Sequence, residues 1–440
     1  MSFKISERQK IFIVYLLIAL TTIPFFFAVN IPHSWALTTT NVKPIALYIS
    51  AVAGYIGIGL LLWEFILGTR SVTGLYFNDI SKTIKVHHNI GKYGILLILL
   101  HPIFITISYG ESLFYSLVPN ISGELNRSIT YGRLALYVIV IIWVTSVIAR
   151  GSIKYRPWKY VHYLAYVILP LMFLHVPDTG TSYKNTVIQF YWYSFVVVFL
   201  VFLALRARHV FGYGKLGYNI ISQKQITDDT LLLKLSPVYT DLTIKPGQFI
   251  YIQRSLFSEE HPFSVVDSNP KTNEILVAYK TFGKYTKKLA KMQAGDQVLI
   301  DGPYGVFTRE LHIEPNQSVV FVAGGIGITP FIKYILDKPA VYDYKLFYAN
   351  KTKQTAVFRL LLQQKLGTDY IDILSGDKSP ASTNDERGFI SVDILSKYLS
   401  DPRLYHYYIC GPQAMMDSTV QVLAELGVPS QNIHLEKFSF

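Results

Sequence analysis

The hydrophobic pattern changes character once along the chain, near Leu205. Before that point apolar residues dominate 11–29, 45–67, 91–108, 134–149, 161–174 and 187–205. A helix that crosses a bilayer needs roughly 17–25 such residues, so the pattern predicts six membrane spans. The fifth run is short and is interrupted by Pro170. From about residue 217 the period shortens to strand-like alternation in "GYNIIS", "TLLLKLS", "GQFIYIQ", "EILVAYK" and "DQVLIDGP", with turn residues between them. These segments predict a small antiparallel barrel. From about residue 317 strands alternate with helices. "SVVFVAGG" reads as a buried strand, and "YKLFYAN", "YIDILSG" and "YHYYICG" as its parallel neighbours. The expected organisation is multidomain: a six-helix transmembrane bundle over 1–210, an antiparallel β-barrel domain over 215–312 and an α/β nucleotide-binding domain over 316–440.

Charge fixes the expected direction of the spans. The 440-residue chain is 51% hydrophobic and carries a net charge of +12. Lys4, Arg8 and Lys10 precede the first span, and Arg70, Lys82, Lys85 and Lys92 flank the loop between the second and third. Arg150, Lys154, Arg156 and Lys159 lie between the fourth and fifth, and Arg206, Arg208 and Lys215 follow the sixth. The opposite loops hold only Lys43, then Arg127 and Arg133, then Lys184. The positive-inside rule places both termini and the soluble half in the cytoplasm of a cell whose membrane the chain crosses several times. It accounts for much of the basic excess, so no nucleic-acid partner is implied. The first run lacks a small-residue cleavage site and reads as a retained helix. Cys410 is the single cysteine, which excludes an intrachain disulfide.

Histidines inside the apolar runs are the first candidate chemistry. In "VHHNIGKYGILLILLHP", His87 and His101 are 14 residues apart, about 21 Å along a helix and on nearly one face. His162 and His175 repeat the arrangement in the fifth span, 13 residues apart. Both helices run outward, so His87 shares a depth with His162, and His101 with His175. Two facing imidazoles at one depth can hold a haem iron from both sides, and two such layers would stack two haems across the bilayer. A lone membrane histidine more often forms an interhelical hydrogen bond, but four paired by depth favour metal ligation. His88 is also 13 residues from His101 and is the alternative inner ligand. A 13-residue spacing falls off a common face in an ideal helix, and a kink at Pro170 would change that phase.

In the soluble half "VAGGIGITP" runs from a strand through a glycine-rich turn into a helix. Glycines let backbone N–H groups approach a pyrophosphate at a helix N-terminus. "CGP" at 410–412 follows the last long strand. Each motif alone is also an ordinary tight turn, and a lone cysteine is usually a small buried hydrophobe. In an open α/β sheet both turns would lie at strand carboxyl ends, where ligands bind.

The ordered set "HPFS" (261–264), "FGKYT" (282–286), "GPYG" (302–305), "GGIGITP" and "CGP" resembles ferredoxin–NADP reductase-like flavoproteins. "HPFS" is the form found in the ferric reductase and NADPH oxidase superfamily. The four histidines match its membrane domain, including Gly91 four residues after His87 and Tyr166 four after His162. The chain is similar to prokaryotic NADPH oxidase homologues over nearly its whole length. The resemblance implies an FAD-binding barrel, an NAD(P)-binding α/β domain and two bis-histidine b-type haems. His261, Pro262, Phe263 and Ser264 would contact the flavin, with Ser264 near its reactive ring. Lys280 would lie near the FAD phosphates, and Thr286 would bind pyrophosphate at a backbone turn. Gly324, Gly325, Gly327 and Thr329 would cradle NADPH or NADH. Cys410, followed by Gly411, would sit near the nicotinamide, and Phe440 would cover the flavin ring. Lys351 could pair with a 2′-phosphate and favour NADPH. No calcium-loop sequence of the D-x-D-x-D-G type occurs.

These parts imply transmembrane electron transfer from cytosolic NAD(P)H through FAD and two haems to an external small-molecule acceptor. With dioxygen the product is superoxide; with a ferric or cupric chelate the same path gives a metal reductase. No obligate protein partner is implied. A transporter or scaffold with a regulatory flavin domain would instead hold no haem.

Overall fold

A computed structural model describes residues 6–35, 42–77, 80–180, 182–239, 242–305, 318–337, 344–377 and 384–436. The chain forms two compact units, Met1–Arg208 and His209–Phe440.

The first unit is helical because a backbone inside a bilayer must satisfy its own hydrogen bonds. Among the described residues six helices are long and apolar enough to cross a membrane: Arg8–Ala28, Val42–Leu67, Ile80–Tyr109, Gly123–Ile148, Tyr155–Thr179 and Thr186–Val210. Ser6 opens the first with a capping box: its Oγ accepts from Gln9 N, and Gln9 Oε1 accepts from Ser6 N. The second span is the most buried of the six. Spans two and three pack along each other, and spans four and five form a second packed pair. The third helix starts at Ile80, a full three turns before the apolar run does. Polar residues therefore continue the helix, and His87 lies inside it rather than at its beginning.

The fifth span differs from expectation in one place. Pro170 sits within the helix Ala165–Thr179, and the interruption falls earlier, at Tyr163–Leu164, directly after the helix Tyr155–His162. Leu164 N, Tyr166 N and Val167 N donate to Val161 O, Tyr163 O and Leu164 O, so each bond spans three residues instead of four. A turn of this type winds about 20° more per residue than an α-helix. Over about four residues that adds about 80° and removes much of the phase offset of a 13-residue spacing. The alignment of His162 with His175 thus comes from the tight turn beside His162. A π-turn, Val144–Ile148, ends the fourth span opposite it.

In the second unit, strands β1 (Leu216–Thr227), β2 (Thr230–Pro237), β3 (Phe249–Gln253), β4 (Glu260–Ser268), β5 (Ile275–Lys280) and β6 (Gln297–Tyr304) close a barrel in the order β1-β2-β5-β4-β3-β6. Every pairing in it is antiparallel. Alternate side chains such as Tyr218, Ile220, Leu233, Leu235, Val277 and Ile300 point inward and fill its core.

The remaining strands, β7 (Val319–Gly324), β8 (Tyr344–Asn350), β9 (Tyr370–Leu374), β10 (Asp385–Arg387), β11 (His406–Cys410) and β12 (Ile433–Glu436), form one parallel sheet in the order β10-β9-β8-β7-β11-β12. β7, β8 and β9 are buried almost end to end, as in sheets covered on both faces. Strand order reverses at β7, whose neighbours are β8 and β11. The crevice beyond the carboxyl ends of β7 and β11 is therefore the topological switch point of the sheet. The architecture is the expected one: six apolar helices, a closed antiparallel barrel and an α/β nucleotide-binding fold.

Candidate functional site

The four span histidines meet in two pairs. The ring centroids of His87 and His162 are 6.1 Å apart at an interplanar angle of 71°. Those of His101 and His175 are 6.2 Å apart at 80°. With a metal–nitrogen bond of about 2 Å on each side, and about 1 Å from nitrogen to ring centre, two imidazoles on one iron have centroids about 6 Å apart. His87, rather than His88, supplies the ring that faces His162.

Each histidine is held through Nδ1 by the helix packed against its own. His101 Nδ1 donates to Ser50 O at 3.0 Å, and His175 Nδ1 to Ser128 O at 2.8 Å. His87 Nδ1 lies 3.2 Å from Glu64 O and 3.0 Å from Glu64 Oε2. His162 Nδ1 lies 3.3 Å from Ser146 Oγ, which also accepts from Trp158 Nε1. A carbonyl oxygen can only accept, so His87, His101 and His175 carry their proton on Nδ1. That tautomer leaves Nε2 with a free lone pair, the form in which imidazole binds a metal. Spans two and three are antiparallel in register: 14 residues separate Ser50 from Glu64, as they separate His87 from His101.

Glycines hold the rings from behind. A Cβ on Gly54 would lie 2.9 Å from His101 Nδ1, and one on Gly132 would lie 2.8 Å from His175 Cε1. A Cβ on Gly91 would lie 3.1 Å from Glu64 Oε2. His101 and His175 line a cavity of about 660 Å³ together with Arg133, Tyr115, Glu111, Asp178 and Lys184. Arg133 is buried with its guanidinium 4.7 Å from the Tyr115 ring centre, and its Nε and Nη1 have no hydrogen-bond partner among the described residues. A buried cation without an acceptor, beside two free imidazole nitrogens, fits a planar, apolar metal group that bears carboxylates. The residues present therefore fit haem at this layer.

The soluble unit gathers a second constellation. His261, Pro262, Phe263 and Ser264 lie on β4 in register with Ile252, Tyr251, Ile250 and Phe249 of β3. The His261 ring stacks on Tyr285 at 3.9 Å, and Phe263 packs beside Tyr279 and Tyr285. The Arg254 guanidinium stands 5.4 Å from the Tyr285 ring centre, with Nε unpartnered among the described residues. Thr286 exchanges hydrogen bonds with Gly283 and opens the helix Lys284–Leu289. Lys280, expected near flavin phosphates, bonds Asp229 at 2.9 Å, and its Nζ would lie 3.9 Å from a Cβ on Gly325. It thus approaches the glycine-rich turn. Burial alone would raise the Asp229 carboxyl, but hydrogen bonds from Lys280 and Thr230 hold it below the usual range.

At the switch point the two weak motifs become one surface. A Cβ on Gly327 would lie 2.3 Å from Cys410 O, and one on Gly324 would lie 2.8 Å from Pro412 Cδ. A Cβ on Gly411 would meet the Cα of Gly324 at 3.0 Å. Gly325 takes a left-handed φ of +52°, and its carbonyl accepts from Tyr348 Oη at 2.9 Å. Thr329 Oγ1 donates to Ile326 O and starts the next helix. Cys410 is fully buried beside Ala323, and burial together with Glu436 pushes its thiol well above the ordinary range. Phe440 lies outside the described residues. Lys351 follows β8, its stem packed on Gly376, while the buried amide nitrogen of Asn350 is unpartnered among the described residues. Glycine-lined backbone at a switch point fits a dinucleotide.

Sequence reasoning did not single out Glu64, Ser50, Ser128, Ser146, Gly54, Gly132 or Arg254. The antiparallel register of adjacent spans could have found the partners of three histidines. Nothing in the local sequence marks Arg254.

Comparison with known proteins agrees in all three regions. Residues 53–173 match the ferric reductase like transmembrane component, 216–308 an FAD-binding domain and 321–421 an oxidoreductase NAD-binding domain. Human cytochrome b5 reductase 4 is 27% identical over 49% of this chain, which spans 46% of that protein. The sulfhydrogenase 2 subunit gamma of Pyrococcus furiosus is 27% identical over 51% of this chain and 83% of its own length. Among solved structures, the ferredoxin reductase in carbazole 1,9a-dioxygenase is similar at 24% identity with a TM-score of 0.44, over 51% of this chain and 69% of that one. Six apolar spans joined to an FAD-binding and an NAD-binding domain give this chain the architecture of the ferric reductase/NADPH oxidase superfamily, that of a multi-pass membrane oxidoreductase.

Proposed function

We propose that the protein moves electrons from cytoplasmic NAD(P)H through FAD and two bis-histidine b-type haems to dioxygen on the outer side, where superoxide is released. The observation that carries this reading is the double histidine pair, each ring fixed through Nδ1 and each pair at the separation that one iron requires. When bound, FAD accepts a hydride and releases its electrons singly, and haems relay single electrons across the membrane.

The chain's own residues have distinct parts in this. Gly324, Gly325, Gly327 and Gly411 keep side chains away from the dinucleotide, and Thr329 begins the helix whose N-terminus meets its phosphates. Lys351 recognises a 2′-phosphate and favours NADPH. Cys410 packs as a neutral thiol beneath the nicotinamide and excludes water. His261, Pro262, Phe263 and Ser264 receive the flavin, with the Ser264 hydroxyl near its reactive ring. Arg254 and Thr286 serve its phosphates, and Lys280 serves the phosphates at the glycine-rich turn. His87 with His162, and His101 with His175, would each hold a haem iron between two imidazoles, and an acceptor would then take its electron without binding the metal. Arg133 neutralises a carboxylate in the outer layer. The basic loops of the positive-inside pattern support a nucleotide site on the cytoplasmic side of the cell membrane.

Reduction of a ferric or cupric chelate is the second reading. It is favoured by Glu111, Asp178 and Lys184, charged groups on the outer cavity that could engage a hydrated ligand. Visible spectra of purified protein with FAD and NADPH under nitrogen, followed by admission of air, separate the cases. Haem bands that reduce and then reoxidise promptly, with superoxide trapped in stoichiometric yield, support the oxidase. Bands that persist in air and reoxidise with ferric chelate support the reductase. A spectrum without haem bands refutes both.

A further inference from the structure

Among the described residues, one of the four histidines, His87, has an acid at Nδ1, beside the carbonyl of the same residue, Glu64 O, at 3.2 Å. Glu64 Oε2 lies 3.0 Å from His87 Nδ1, while the corresponding partners of His101 and His175 are the neutral carbonyls of Ser50 and Ser128 at 3.0 and 2.8 Å. Thr179 Oγ1 adds a long contact to His175, and His162 meets the Ser146 hydroxyl. Glu64 is positioned by construction. It stands on the second span, in register with His87, and Gly91 one turn after His87 leaves the space that its carboxylate fills. Its other oxygen, Oε1, has no hydrogen-bond partner among the described residues, and Oε2 faces both His87 and the backbone at Gly91. The Arg150 guanidinium lies 4.5 Å from the Trp158 ring, which in turn stacks on His162.

We infer that Glu64 is a positioning residue that sets the direction of electron flow. This rests on the two-haem reading above. Once ionised opposite a bound haem iron, a Glu64 carboxylate that accepts the Nδ1 proton would make the imidazole a stronger donor, and a stronger ligand stabilises ferric over ferrous iron. A neutral carbonyl does so less. The inner site therefore lies at lower potential than the outer, and an electron supplied by NAD(P)H through FAD moves outward downhill. The step is one electron: the inner iron is oxidised from ferrous to ferric as the outer is reduced from ferric to ferrous, and no bond is made or broken. Dioxygen or a ferric chelate then takes the electron. Ser50 and Ser128 complete the asymmetry by giving the outer pair no charge at first contact. Asp178 accepts from the Ser128 hydroxyl at 2.5 Å, and Ser128 meets His175 through its carbonyl instead, so this acid is one residue removed from the ring.

The test is an anaerobic spectroelectrochemical titration of the full-length holoprotein in nanodiscs. Wild type is expected to resolve two one-electron components that differ at least tenfold in electron partition, which is about 59 mV for one electron. Glu64→Gln keeps the shape and removes the charge. It is expected to move the lower component positive by at least tenfold in partition and to leave the upper one in place. A single superimposed wave in wild type overturns the proposal without any variant. So does a Glu64→Gln protein whose two components stay where they were or move together. If Glu64→Gln loses its inner haem, Glu64→Asp decides: a lower component shifted positive supports the proposal, and an unshifted one overturns it. Absence of haem bands in wild type would instead refute the underlying two-haem reading.

Discussion

Gly132 offers a sharp test of the outer histidine pair. In Gly132→Ala the new methyl would lie 2.8 Å from both Cε1 and Nδ1 of His175 and 3.0 Å from its Nε2, flat against the ring. Carbon atoms in good contact stand about 3.5–4.0 Å apart, so the ring must retreat by roughly 0.5–1 Å. His175 cannot retreat freely, because its Nδ1 is tied to Ser128 O at 2.8 Å and His101 stands 6.2 Å away on the other side. Overpacking of this kind costs about 1–3 kcal/mol, and a metal ligand tolerates displacements of only about 0.5 Å. The expected result is loss of one haem of two, read as a haem-to-protein ratio near one by the pyridine haemochrome method. The remaining haem, on His87 and His162, should still be reduced by NADPH and FAD, while electron delivery to dioxygen falls at least tenfold. Full haem content with an unchanged low-spin spectrum and undiminished superoxide production would refute the geometry on which the outer pair rests.

Gly327→Ala places a methyl 2.3 Å from the carbonyl oxygen of Cys410, a backbone atom that cannot swing aside. NADPH-driven flavin reduction in stopped flow should drop more than tenfold, while dithionite still reduces the haems. Lys333 ties the helix Thr329–Asp337 to β4 through Asp267 at 2.7 Å and also bonds Asp337 at 3.2 Å. Burial opposes its charge, and the two carboxylates outweigh that effect and hold its ammonium above the ordinary lysine range. Lys333→Met should cost about 0.5–1 kcal/mol, discounted because both carboxylates are more than half exposed. A raised cationic pKa stabilises the fold below the unfolded value of about 10.4, and the gain is lost as pH rises through the folded value. The difference from wild type, followed by thermal release of flavin fluorescence, should be constant near neutrality and vanish at strongly alkaline pH. Because burial holds Cys410 as a neutral thiol, iodoacetamide at pH 8 should leave it unmodified in the folded protein and alkylate it after denaturation, as read by intact mass.

The elements legible in the sequence were those with a strong period. Six apolar runs, alternating strands in the barrel and buried strands in the sheet all follow from local patterning, which is decided within each segment. Boundaries were less visible: the third helix begins at Ile80 because polar residues such as Lys82 and Lys85 continue a helix beyond the apolar layer. The pairing of histidines by depth was readable because helix rise is regular. The turn after His162 was not readable, since nothing in "HYLAY" demands it, whereas Pro170 is an obvious breaker that the helix absorbs. The glycine motifs 324–327 and 410–412 looked ordinary separately. Their significance arises only when β7 and β11 become neighbours, a long-range fact that strand order supplies. Glu64 was hidden for the same reason: a carboxylate in the second span gains meaning from the third.

The interruption at Tyr163–Leu164 has a mechanical consequence. His87 and His101 share one continuous helix, Ile80–Tyr109, and so form the two ends of a single stiff rod. His162 and His175 stand on separate segments, Tyr155–His162 and Ala165–Thr179, joined by a short articulated link. One side of the assembly therefore fixes the distance between the two layers, and the other side can adjust each layer on its own. Thermal strain or a pull on the loop before Tyr155 would be taken up at the joint and would reach the inner layer first. The layer of His101 and His175 is insulated from disturbance on the side of His87 and His162.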